Sequence, residues 1–348
     1  TMKVLTMQLN STSVMDIIAY GGAAVGMIVT LSQFMKGAVS VHGALMLILL
    51  ASEFFIPLRL LGSFFHIAMN GMAASNKIFA LLDLPEPGER SVELDGTEMD
   101  IEFSGVHFSY EADREILKGV GMEFPSGSFT SVAGVSGCGK STAAAILMGR
   151  NLGYSGSVTV GGAELSDIRE ESLLERITLV SHNSYLFKGT VEDNLRMGKP
   201  DASEEELKEA LRKVNLWGFL RNQQGLETPV LEKGSNFSGG QCQRLAIARA
   251  LLHDTPVYIF DEATSNIDAE SEEMIMQVIH ALAKTKTIIL ISHRLANVVR
   301  SDRIYMMKDG LVEEYGTHEE LIEKNGAYAK LYCAQMELER YGRRKRHE

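Results

Sequence analysis

The chain changes texture twice along its length. Ile17 to Met35 runs for 19 residues without a charge. As a helix rising about 1.5 Å per residue it covers roughly 28 Å, close to the hydrocarbon thickness of a bilayer. A membrane span is therefore predicted over about 14–35. A cleaved signal peptide fits poorly, because no basic region precedes the run and the run is too long. A second apolar stretch, Val39 to Leu61, predicts a span over about 41–61, with Glu53, Pro57 and Arg59 in its second half. Glu53 and Arg59 are expected near the cytoplasmic interface, paired with neighbouring helices rather than lining a substrate path. The short link between the spans makes them a helical hairpin with both ends on one side. From Ser63 to Leu82 apolar residues recur at helical spacing, which predicts that the helix continues out of the membrane as an amphipathic extension. Asp83-Leu-Pro-Glu-Pro-Gly88 then stops the helix, and 83–100 reads as a linker.

The second change comes at Ile101. Short β-rich runs follow, at Ile101–Phe103, Val106–Tyr110, Ile116–Phe124 and Phe129–Ala133. They open an α/β domain expected over 101–340, ahead of a basic tail at 341–348. Ser203–Val214 predicts a polar helix whose acidic residues form a solvated face.

Charge sharpens this division. The mean hydropathy of the whole chain is near zero. Yet residues 1–82 hold only six charges, Lys3, Asp16, Lys36, Glu53, Arg59 and Lys77. The first part is thus net +2 and the rest net −13, which together give the chain its −11. An acidic domain excludes a general nucleic-acid binder, so no nucleic-acid partner is expected. The basic tail, with Arg343, Arg344 and Arg346, reads as a solvated end. Three cysteines, Cys138, Cys242 and Cys333, fit a reducing compartment with no disulfide framework.

The strand Phe129–Ala133 feeds Gly134-Val135-Ser136-Gly137-Cys138-Gly139-Lys140-Ser141-Thr142, and a helix-compatible run, Thr142–Met148, follows. Strand, G-x-x-x-x-G-K-S loop and helix in this order make a phosphate-binding loop (P-loop). Its glycines let backbone N–H groups approach phosphates at a positive helix end. Lys140 is expected to reach the β- and γ-phosphates and Ser141 to ligate Mg²⁺. The apolar run Val257-Tyr-Ile-Phe ends in Asp261-Glu262. Asp261 is expected to hold the metal, directly or through water, and Glu262 to act as general base on the attacking water. A second anion-binding nest is expected at Phe237-Ser238-Gly239-Gly240-Gln241, where serine and two glycines open a helix.

These residues resemble the ATP-binding-cassette (ABC) family, whose signature is Leu-Ser-Gly-Gly-Gln, with Phe237 here in the first position. The resemblance implies an α/β P-loop NTPase with a RecA-like core, an antiparallel β subdomain and a helical subdomain at about 166–250. It implies ATP and Mg²⁺ as cofactors and Tyr110 as the ring stacked on adenine. It also implies that Ser238, Gly239, Gly240 and Gln241 touch ATP bound to a partner subunit. Ser265-Asn266-Ile267-Asp268 resembles the loop that meets that partner, and His293 the histidine that touches the γ-phosphate. The family's metal-linked glutamine is replaced by His182, which implies either a tolerated variant or weaker, pH-sensitive coupling. Cys138 and Cys242 both fall near the expected nucleotide sandwich, as small-residue replacements rather than redox regulators.

Membrane helices upstream of the cassette resemble those of an exporter-type half-transporter. Ser52–His66 and Ala73–Leu82 look most like CydD-type exporters of cytochrome bd biogenesis, which implies cysteine or glutathione as the exported substrate. The same architecture serves lipid and multidrug exporters, and a poorly hydrolysing regulatory cassette is a further alternative. The resemblance implies a second half-transporter as partner, identical or not. It places the protein as a multi-pass component of the bacterial cytoplasmic membrane, with the cassette in the cytoplasm and the lipid bilayer as a further partner. Family exporters have six spans per half, so the two found here lead us to expect a C-terminal portion or a truncated product.

Overall fold

The computed structural model of the chain describes residues 2–84, 90–96, 98–111 and 114–345. They divide into two compact units, 1–88 and 89–348.

The first unit is two helices, α1 (Met2–Met35) and α2 (Val41–Leu82). Ser40 caps α2, its side chain accepting from the Gly43 N–H at 3.2 Å. The helices meet where α1 presents Gly26, since a Cβ added there would lie 3.5 Å from Cβ of Ala51. The small residue allows close backbone approach. Ser13–Met35 is long and apolar enough to cross a membrane. The second apolar stretch is shorter among the described residues, Val41–Ala51. No break separates the expected second span from the expected extension, because α2 runs through both, with Pro57 inside it. Large apolar side chains such as Ile17, Ile28, Leu45 and Phe64 are exposed in this unit, as suits a lipid-facing surface. The side chains of Arg59 and of most of 55–63 lie outside the described residues, as do residues 85–89 of the expected linker.

Among its described residues the second unit has two large sheets and a two-stranded antiparallel ribbon. Its strands are β1 (Ile101–Glu111), β2 (Arg114–Phe124), β3 (Phe129–Gly134), β4 (Ser155–Val160), β5 (Ala163–Glu164) and β6 (Ile177–Ser181). They continue with β7 (Gly189–Thr190), β8 (Pro229–Val230), β9 (Val257–Asp261), β10 (Thr287–Ser292), β11 (Arg303–Lys308) and β12 (Leu311–Gly316). The larger sheet has the order β12-β11-β3-β10-β9-β6 and is parallel except for β12. The smaller is antiparallel, β2-β1-β4-β5, and the ribbon is β7-β8. The strands β3, β9 and β10 are buried throughout, as strands covered on both faces should be. Side chains alternate between the two faces. Tyr258, Phe260, Ile288 and Leu290 pack with Leu195, Leu211, Leu245 and Ile279 of the helices on one side. Val257, Ile259, Ile289 and Ile291 pack with Phe103, Val120 and Leu147 on the other. Tyr305 ties the two sheets, its hydroxyl accepting from the Glu123 N–H at 2.9 Å and donating to the Glu123 carbonyl.

Residues 90–100, read above as linker, pack on this second unit. Val92 bridges Ile168, the Leu94 N–H donates to Oγ of Ser172 at 2.8 Å, and Leu94 and Met99 are buried. Their apolar side chains carry the segment onto the smaller sheet. The last helix, Ala327–Lys345, continues into the segment read as a basic tail. Side chains from 339 onward lie outside the described residues.

Candidate nucleotide-binding and hydrolysis site

Parallel pairing brings the chemistry to one edge. Asp261 is level with Ser181 of β6 and Ile291 of β10, and Ala133 of β3 is level with Ser292. The loops leaving these four strands therefore emerge together at their C-terminal ends, where ligands bind in open α/β sheets. They carry the P-loop, Glu262, His182 and His293.

The P-loop helix runs Lys140–Leu147, starting two residues earlier than the sequence suggested. Gly139 caps it at φ 106°, and an added Cβ there would press on the Leu117 side chain at 2.7 Å. Only glycine suits that backbone and that space. Val135, Ser136 and Gly137 form the exposed tip, while Gly134, Cys138 and Thr142 are buried. Lys140 is 4% exposed, and its ammonium donates to the carbonyls of Gly134 and Val135, both at 2.9 Å. The loop's own carbonyls thus hold the charge within the P-loop. Cys138 Sγ lies 3.7 Å from that ammonium.

Ser141 Oγ donates to Oδ1 of Asp261 at 3.1 Å. Burial pushes the Asp261 carboxyl above its usual range, and the Ser141 hydrogen bond pulls the other way. Among the described residues, no group of three or more His, Cys, Asp and Glu could hold a metal unaided. Ser141 and Asp261 instead offer a hydroxyl and a desolvated carboxylate side by side. That donor set suits Mg²⁺, which takes few protein ligands and fills the rest from phosphate and water. His182 is exposed. Its backbone N–H donates to the Asp261 carbonyl at 3.0 Å, and its ring is close enough to influence the Asp261 carboxyl electrostatically.

Burial makes the ionised Asp261 a liability to the folded chain. A carboxyl with its folded pKa raised favours folding most below its unfolded pKa, and that advantage is lost as pH rises through the folded value. Asp261→Asn should therefore raise the melting temperature of the metal-free chain at pH 7, with the gap to the parent closing toward pH 4. The measurement is thermal unfolding across that pH range. An unchanged or lower melting temperature at pH 7 would show that burial of this charge is not costly.

Glu262 leaves β9 in the left-handed region, φ 51°. Its N–H donates to the Ile291 carbonyl at 3.0 Å. This turn brings Oε1 of Glu262 to 3.3 Å from Nδ1 of His293. Tyr110, at the end of β1, is 62% exposed, with Phe108 edge-on at 4.9 Å. Asn151 Nδ2 donates to its hydroxyl at 3.0 Å.

The signature lies elsewhere on the same chain. Ser238 caps the helix Gly239–His253: its hydroxyl accepts from the Gln241 N–H at 3.2 Å, while Gln241 Oε1 accepts from the Ser238 N–H at 2.9 Å. Among the described residues no hydrogen bond joins the signature to the P-loop. Gly240 is buried against Ser271, where a Cβ would collide. Asp268 caps the adjoining helix Ala269–Leu282, accepting from the Ser271 N–H at 2.8 Å. Cys242, next to the signature, donates to the Gly234 carbonyl, and burial raises its thiol pKa. A thiol so held is poorly reactive.

Three contacts were not anticipated from the sequence. Gln243 is buried and its Nε2 donates to the Ser181 carbonyl at 3.1 Å, joining the signature helix to the residue before His182. Its signal was a polar residue on an otherwise apolar helix face. Glu272 pairs with Arg294 and accepts from Asn297 at 2.8 Å. This links the helix after Asp268 to the loop after His293. Asn151 against Tyr110 had no sequence signal.

Fold and site together define a P-loop ATP-binding cassette of the ABC type. Residues 117–265 match the ABC transporter family, and the cassette of this chain belongs to that family. An uncharacterised ABC transporter ATP-binding protein of Haemophilus influenzae is 50% identical over 341 residues, covering 97% of this chain and 61% of that protein. An ATP-dependent lipid A-core flippase of Vibrio parahaemolyticus is 39% identical over 286 residues, 80% of this chain and 49% of the flippase. A solved bacterial Atm1-family ABC exporter with ATP bound superposes with a TM-score of 0.71 at 30% identity, over 95% of this chain and 58% of the exporter. The chain thus spans about half to three-fifths of the length of these relatives.

Proposed function

We propose that this chain is the ATP-hydrolysing part of an ABC exporter and drives cargo across a bacterial cytoplasmic membrane. The observation that carries the reading is the convergence of Lys140, Ser141, Asp261, Glu262 and His293 at one sheet edge, on a chain that also holds the apolar helix Ser13–Met35. The P-loop N–H groups and Lys140 bind the β- and γ-phosphates, and Tyr110 stacks on adenine. Ser141 and Asp261 hold Mg²⁺, with His182 at the outer edge of that site. When bound, the ion neutralises charge developing on the phosphates. Glu262 takes a proton from the attacking water and His293 steadies the γ-phosphate side of the site. Ser238–Gln241 face the nucleotide of a second cassette and the loop of Asp268 meets that cassette, so the working unit is a dimer of half-transporters.

For cargo, we favour an amphiphilic lipid. Six relatives at 36–39% identity, from Vibrio and other bacteria, carry the name lipid A-core flippase. A thiol cargo rests on the likeness of 52–66 and 73–82 to CydD-type exporters, and that likeness finds no further support. The two part in inverted vesicles carrying the full-length transporter. ATP should drive leaflet transfer of a labelled lipid and leave radiolabelled cysteine and glutathione outside. Thiol uptake without lipid transfer would reverse the cargo assignment. Movement of neither, with ATP hydrolysis intact, would remove both.

A further inference from the structure

His293 is the least supported group of the site. Its side chain is about half exposed, and it sits just past the last residue of β10, where ladder hydrogen bonds have ended. A histidine there needs its backbone fixed from outside the sheet if its ring is to stay on Glu262. Ser292 supplies part of this, its hydroxyl accepting from the Arg294 N–H at 3.0 Å and donating to the Arg294 carbonyl at 3.1 Å. The rest comes from the last helix, about forty residues downstream. Gln335 Nε2 donates to the His293 carbonyl at 2.8 Å, and Gln335 Oε1 accepts from the Leu295 N–H, also at 2.8 Å. One primary amide thus satisfies a carbonyl and an N–H two residues apart, as a neighbouring strand would. Leu295 is fully buried, and Leu331 and Tyr332 of the same helix pack against the core it belongs to. Apolar packing on either side therefore sets the register of this amide.

We infer that Gln335 is a positioning residue for His293, holding the backbone that follows its side chain so that the ring stays beside Glu262. The inference rests on the hydrolytic reading given above and adds to it a residue outside every recognised motif. A displacement of the ring by about 1 Å can lower turnover by up to roughly 100-fold.

The test uses the whole chain with Gln335→Met, which keeps length and removes both polar atoms, and Gln335→Glu, which keeps the acceptor for Leu295 and loses the donor to His293. Both should lower kcat about tenfold with KM for ATP little changed and the melting temperature within a few degrees. Adding Gln335→Met to His293→Ala should lower kcat no further. Amide exchange at Leu295 should quicken in Gln335→Met and stay near the parent value in Gln335→Glu, while amides of β10 are unaffected. Unchanged kcat in both variants, an additive loss in the His293→Ala background, or unchanged Leu295 exchange in Gln335→Met would overturn the assignment. If the parent hydrolyses no more ATP than Glu262→Gln, the hydrolytic reading itself fails. The Leu295 exchange still decides whether the amide holds this loop.

Discussion

Glu262→Gln is expected to cut ATP turnover by about 10²–10⁴-fold while leaving ATP binding within a few-fold of the parent. The substitution is isosteric, so the left-handed turn at this position and the N–H bond to the Ile291 carbonyl survive. What disappears is the one oxygen base that the turn brings to 3.3 Å from His293 Nδ1. An amide oxygen cannot accept the proton of the attacking water at neutral pH. Phosphate release under saturating ATP, together with fluorescent-nucleotide titration, measures the two effects separately. Turnover within threefold of the parent would mean that the base is another group.

Lys140→Met is expected to act at the earlier step and weaken ATP binding by at least about 30-fold. A hydrogen bond to a charged group contributes roughly 1.5–3 kcal/mol net, and this ammonium serves more than one phosphate oxygen in the proposed complex. Its present partners are instructive. The Gly134 and Val135 carbonyls accept from Nζ and fix the side chain along its own loop. Methionine matches the stem but leaves those carbonyls facing an apolar tip. Calorimetric titration with ATP and Mg²⁺ reads the loss directly. Tight binding by Lys140→Met alongside inactive Glu262→Gln would confine the lysine to a structural part.

What the sequence disclosed and what it hid divide by sequence distance. The P-loop was readable because strand, glycines, lysine and helix are contiguous, and Asp261-Glu262 because an apolar run delivers them. That both reach the same edge follows from parallel pairing once the α/β class is assigned. Glu272 and Asn151 were invisible, and Gln243 showed its polarity but not its partner, because the partners lie about 25 to 60 residues away. No local pattern marks such a pair. Helix geometry is indifferent to the change from apolar to amphipathic near residue 61, and α2 runs through both parts. The linker shows the converse error. At 90–100 the flanking prolines suggested a linker, yet the apolar Leu94 and Met99 sit in the core. Burial outweighed the local signal.

The cap at Ser238 carries a last consequence, one of valence. A hydroxyl has two acceptor lone pairs and a single proton. Capping the helix uses one lone pair, for the Gln241 N–H, and leaves the proton uncommitted. Ser238 can therefore donate to an incoming phosphate oxygen without surrendering the cap. In the proposed dimer of half-transporters, the cassettes would close and part with the end of this helix never opening, so each cycle would begin from an intact helix start.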